Sequence, residues 1–142
     1  MDNLTEIKIE GVRTESGGTP ELTTQFCRGE YHFKDGFHYL TYGEKMSEGE
    51  KETKAIIKTD GKTASLLRFS GYGSNMNFNP SKPQKGRYKT PFGDLDFEIV
   101  THKVTFEIKA NNARLVLEYS MNIAGQQSEN TLKINFNIKR GN

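Results

Sequence analysis

The chain has 142 residues, with 20 Lys and Arg against 18 Asp and Glu for a formal net charge of +2, and its 33% hydrophobic content includes nine Phe and six Tyr. That length suits a single domain over residues 1–142, large enough to bury a core unaided, and the near balance of charge argues against a nucleic-acid partner. A lone cysteine, Cys27, excludes an internal disulfide and two-Cys zinc spacings. With no signal-like N-terminus and no bilayer-spanning apolar run, the expectation is a cytoplasmic protein with no cofactor and no membrane partner.

Turn residues interrupt every window before a helical period is established, so strands carry the fold. Ile7 and Ile9 mark a first strand, and Leu22 and Phe26 a second. Asp35-Gly36 is a two-residue hairpin turn that groups Tyr31 and Phe33 with His38, Leu40 and Tyr42, leaving Phe37 and Tyr39 on the opposite face. Phe26 and Tyr31 differ in parity, which predicts a bulge near Gly29. Asp60-Gly61 collects Ala55 and Ile57 with Ala64 and Leu66. Leu95, Phe97 and Ile99 begin a later strand whose parity slips before Val104, predicting a bulge or turn around Thr101-His102-Lys103. Asn111-Asn112 then joins Val104, Phe106, Ile108 and Ala110 to Ala113, Leu115, Leu117 and Tyr119. The last strand, residues 131–139, alternates Leu132, Ile134, Phe136 and Ile138 with polar residues. Residues 14–20, an acidic stretch at 43–52 and a basic stretch at 79–90 read as loops. The sum is an all-β fold, a single antiparallel up-and-down barrel of about eight to ten strands, with an open two-sheet sandwich as the alternative.

Leu66-Leu67-Arg68, Met76, the run Arg87-Tyr88-Lys89-Thr90-Pro91-Phe92-Gly93-Asp94-Leu95 and the long C-terminal hairpin together resemble the YwiB-like family of small uncharacterised bacterial proteins. The resemblance covers most of the chain and implies a calycin-type barrel, the architecture of lipocalins and fatty-acid-binding proteins, without implying an activity. The stretch at residues 79–86, rich in Pro and Lys, departs from the pattern.

Arg68 falls on the same face as Ala64 and Leu66, and an inward guanidinium needs a partner. It meets a carboxylate, carbonyls, water or a ligand anion inside the barrel, or it sits at the rim in water. Calycin carriers of fatty acids hold a carboxylate with an internal Arg, so the resemblance implies the ligand role. With Arg68, the inward aromatics Tyr42 and Tyr119 and the aromatics Tyr88 and Phe92 beside the basic stretch form the candidate ligand-binding set. His32 and His38 lie on opposite faces of one hairpin and His102 at a bend, so no metal site is expected. Cys27 reads as inert and half-buried, and Gly71-Tyr72-Gly73-Ser74 as a bend between strands. No nucleophile, base and orienting acid converge, so no enzyme is expected. The expected function is non-enzymatic binding of a small, mainly apolar or anionic ligand; the alternative is a protein-interaction module on a side-chain-filled barrel, docking through a face such as Phe37 and Tyr39.

Overall fold

Alternation of apolar and polar side chains builds ten strands: β1 (Leu4–Glu15), β2 (Glu21–Lys34), β3 (Phe37–Glu44), β4 (Thr53–Thr59), β5 (Ala64–Arg68), β6 (Ser74–Phe78), β7 (Gln84–Thr90), β8 (Gly93–Lys109), β9 (Asn112–Ile123) and β10 (Gln126–Asn137). The computed structural model describes residues 4–44, 53–69 and 74–138, and no helix forms among them. Most of the acidic stretch, the Gly71-Tyr72-Gly73 bend and Lys139 lie outside the described residues. All ten strands join one antiparallel sheet in the order β6-β5-β4-β3-β2-β1-β10-β9-β8-β7. The sheet is a meander whose first and last strands pair with each other, from Ile7↔Phe136 to Glu15↔Ser128. Its two edges, β6 and β7, then lie side by side and nearly close the barrel.

Three expected hairpins form, one as expected and two with their turns moved. Asp35 and Gly36 both take positive φ, 55° and 84°, and Lys34 pairs with Phe37 as a two-residue turn requires. The next hairpin uses a longer loop, residues 60–63, because Asp60 Oδ1 accepts hydrogen bonds from the backbone N–H groups of Lys62 (2.9 Å) and Thr63 (2.8 Å). The turn after β8 is Ala110-Asn111, one residue earlier than expected, with Ala110 at φ 53° and exposed instead of inward. In both hairpins the pairing slides by two residues, which leaves the remaining side chains of the paired strands on their expected faces.

The expected bulge near Gly29 does not form. Strand β2 runs in regular register against β1, placing Cys27 opposite Ile7 and Gly29 opposite Thr5. Phe26 therefore points outward, 74% exposed like its neighbour Leu22 at 76%, with the Lys8 ammonium 5.8 Å from its ring. The second expected bulge is present, as a register shift between Thr101 and Lys103. The basic stretch is only partly a loop, because β7 occupies its second half with Lys85, Arg87 and Lys89 outward and Gly86 and Tyr88 inward.

The core follows the inward parity: Ile7, Leu40, Ile57, Leu66, Phe78, Ile99, Leu115, Leu117 and Ile134 are each at most 4% exposed. Gly29 allows β2 and β3 to approach; a Cβ there would sit 2.1 Å from the Thr41 carbonyl oxygen and 2.9 Å from Ile7 Cδ1. Gly29→Ala is therefore expected to lower unfolding stability by about 3 kcal/mol, the upper range for overpacking, measured as a drop in the urea midpoint. A change below the noise of that measurement would show that the strands can part locally at no cost.

Candidate ligand site at the polar end of the barrel

The inward face divides into an aromatic half and a polar end. In the aromatic half, His38 sits among Phe33 (ring centroids 4.7 Å apart), Phe106 (4.4 Å) and Tyr31 (5.9 Å). Burial pushes the His38 imidazole below its ordinary value, and the Tyr31 hydroxyl lies 2.7 Å from Nδ1, which accepts from it in the neutral ring. The void beside His38, Leu40 and Phe136 measures about 10 Å³, at the lower limit for a single water. This half is filled by its own side chains.

The polar end begins where polar residues occupy inward positions of otherwise apolar strands. The ladders set Arg13 opposite Asn130, Asn130 opposite Tyr119, and Tyr119 opposite Thr101, forming one row across β1, β10, β9 and β8. On the other arm of the sheet, Arg68 at the end of β5 pairs with Ser74 at the start of β6 and with Ala55 on β4. The two arms meet where the Phe78 and Tyr119 rings pack edge to face at 4.8 Å. Burial raises the Tyr119 phenol above its ordinary value, and the positive charges of Arg68 and Arg13 oppose that rise. Both guanidinium groups are thus close enough to act on one buried phenol. Two hydroxyls in this layer, Ser74 Oγ and Thr101 Oγ1, are buried with no hydrogen-bond partner, in residues that are each 5% exposed. Buried polar atoms are normally satisfied, so such a pair marks a place where water or a ligand belongs.

Of the residues expected to bind ligand, Arg68 is half-buried and inward, Tyr119 is buried within reach of its charge, and Tyr42 is buried on β3 opposite Ala55, in the row that contains Arg68. Tyr88 is half-buried against the core on β7. Phe92 is fully exposed in the turn between β7 and β8 and is not brought to the others. Ser74, Thr101, Asn130 and Arg13 were missed; their signal was a polar residue at inward parity, as with Thr101 after Phe97 and Ile99. Of the remaining residues of interest, Cys27 is half-buried and His32 lies outward beside Glu30 at 3.4 Å.

A second polar cluster lies on the outer face at the bulge. The extra residue, His102, turns its Nε2 to 2.7 Å from Ser120 Oγ, and the Ser120 hydroxyl donates to the Glu129 carboxylate at 2.6 Å. The cluster ties β8, β9 and β10 together. The Ser120 hydrogen bond holds the Glu129 carboxyl below its ordinary value against the opposing effect of burial, and His102 adds to the lowering. Only one ring nitrogen of His102 faces both partners, so the three do not form the relay of a hydrolytic triad.

A barrel with a filled aromatic half and an inward cation at a polar end defines the class: a ten-stranded, nearly closed antiparallel β-barrel. A family model described as a domain of unknown function (DUF1934) matches residues 7–134, and the chain belongs to that family. It is similar to the uncharacterized beta-barrel protein YwiB of Bacillus subtilis (strain 168), 24% identical over 113 residues that cover 80% of this chain and 78% of the relative. The crystal structure of the ywiB protein from Bacillus subtilis superposes with a TM-score of 0.83 at 20% identity, covering 97% of this chain and 93% of that one.

Two outcomes follow. Arg68→Met removes a charge that favours the phenolate, so Tyr119 is expected to titrate at higher pH in a 295-nm absorbance titration; an unmoved transition would place Arg68 too far away to act. Glu129 has a depressed folded pKa, so its contribution to stability is present above the ordinary value of 4.5 and is lost as pH falls through the folded value. Ser120→Ala should flatten that acid limb and cost about 1 kcal/mol at neutral pH, both read from urea midpoints across pH.

Proposed function

We propose that the barrel is a non-catalytic, calycin-like binding protein that takes a small anionic ligand at its polar end. The observation that carries this reading is the pair of unpartnered buried hydroxyls, Ser74 Oγ and Thr101 Oγ1, in the inner layer that also holds Arg68 and Tyr119. An anion there would meet a guanidinium, two hydroxyl donors and a phenol that stays protonated at neutral pH, a set of donors and positive charge suited to carboxylate or phosphate oxygens. The filled aromatic half favours a compact ligand over one with a long apolar tail, because such a tail needs a cavity of about 300 Å³ or more.

The test is a titration of the protein with inorganic phosphate, citrate and octanoate, followed by amide chemical shifts and thermal unfolding. At least one anion is expected to raise the midpoint and to shift the amides of Ser74, Thr101 and Tyr119, and Arg68→Met should weaken that binding about tenfold or more, as expected for loss of a charge-assisted hydrogen bond. Thr101→Val should weaken binding while stabilising the free barrel by about 1 kcal/mol, because it removes an unsatisfied buried group. Equal binding by wild type and Arg68→Met, or none of the three anions bound, would overturn the reading.

A further inference from the structure

The order of the strands leaves one junction of the wall without a ladder. Neighbours from β6 through β1 and β10 to β7 are joined by antiparallel hydrogen bonds, whereas β6 and β7, at the two ends of the order, lie side by side with no ladder between them among the described residues. Packing closes this seam. Gly86 on β7 leaves room for the Phe97 ring behind it, and a Cβ there would fall 2.4 Å from that ring and 3.2 Å from the Asn75 carbonyl oxygen of β6. Met76 and Phe78 turn inward from β6, 7% and 1% exposed, and Tyr88 packs half-buried against the core from β7.

The unpartnered hydroxyls stand on either side of the seam. Ser74 Oγ belongs to β6, and Thr101 Oγ1 to β8, the strand beyond β7. Both oxygens are closed off from solvent, so a ligand reaches them only if the wall moves. The aromatic half offers no way through, since the void beside His38 measures about 10 Å³. Parting strands at any laddered junction breaks backbone hydrogen bonds; between β5 and β6 every residue from Ala64↔Phe78 to Arg68↔Ser74 is paired. Parting β6 from β7 breaks no ladder, and local opening takes the boundary that is least bonded.

We infer that the barrel opens at the seam between β6 and β7, and that a small carboxylate or phosphate anion passes through this opening to Ser74, Thr101 and Arg68. The route rests on the proposed anion binding, while the opening itself stands on the unbonded seam.

The test is to hold the seam shut. Asn75 and Arg87 face outward on β6 and β7, next to the close approach of Gly86 to the Asn75 carbonyl. In a Cys27→Ser background, the N75C/R87C variant joined by a short bis-thiosulfonate linker keeps the two strands together, and reductant releases them. Without anion, the Met76 methyl is expected to show microsecond-to-millisecond exchange in the unlinked protein and none in the linked one. With inorganic phosphate, citrate or octanoate, linking is expected to slow association and dissociation about tenfold or more and to leave the affinity within about threefold, because the path is lost and the contacts are kept. Reductant should restore the rates. Unchanged rates in the linked protein overturn the route while the anion binding stands, the result expected if the anion enters past Arg13 at the rim. Met76 exchange that is absent, or equal with and without the linker, overturns the opening whether or not an anion binds. Seam motion with none of the three anions bound overturns the route together with the proposed binding.

Discussion

The pairing of β1 with β10 is the constraint on which the rest of the structure depends. It joins two meanders, β1 to β6 on one side and β7 to β10 on the other, into a single sheet curled around one interior. Without it, each meander would expose an apolar face and two unpaired edges, the arrangement from which sheets aggregate. With it, the only edges left among the described strands are β6 and β7, and these lie against each other. Gly86 makes that approach possible: a Cβ there would fall 2.4 Å from the Phe97 ring and 3.2 Å from the Asn75 carbonyl oxygen. Because the closing ladder pairs residues far apart in sequence, it costs loop entropy before its contacts form, and a slow, late closure is the expected kinetic consequence.

Closure also forces a choice about the interior. A small barrel can be filled by its own side chains, and around His38 this one is. Further filling stops where Asn130, Thr101, Ser74 and Arg68 take inward positions that apolar residues hold elsewhere on the same strands. Leaving two buried hydroxyls unpaired costs stability that a Val or Ala would restore. A fold that retains such a cost at one end, beside a cation and a buried phenol, keeps polar groups where packing alone would place apolar ones.

Period-two alternation made most of the barrel legible. It placed Tyr31, Leu40, Tyr42, Ile57, Phe106, Leu117 and Phe136 on the inward face before any coordinates, because a slip of two residues in a hairpin leaves faces untouched. Where it failed, a local interaction won. Phe26 is expected to share the inward face of Tyr31 by way of a bulge, but β2 keeps a regular register that turns the ring outward, with the Lys8 ammonium 5.8 Å from it, and no bulge is needed at Gly29. The β7 strand was hidden by its charges, since Lys85, Arg87 and Lys89 alternate with Gly86 and Tyr88 and read as a basic loop. The candidate site was half legible: Arg68 stood out as a charge at inward parity, whereas Thr101 and Asn130 are ordinary polar residues whose meaning depends on which strand lies opposite.

One residue connects these features. Before the bulge, Phe97, Ile99 and Thr101 face inward; a regular strand would continue with Lys103, Thr105 and Glu107, placing two charges in the filled half of the barrel. The extra residue at His102 resets the parity, so that Val104, Phe106 and Ile108 turn inward instead and Glu107 and Lys109 are sent to the outer face. A single bulge thus lets β8 serve the polar end with one half and the aromatic half with the other. Its geometry is held from outside by the Ser120 hydroxyl, which meets the His102 ring and the Glu129 carboxylate across three strands. The cluster that resembles a catalytic constellation has a structural role: it pins the irregularity that gives the interior its two ends.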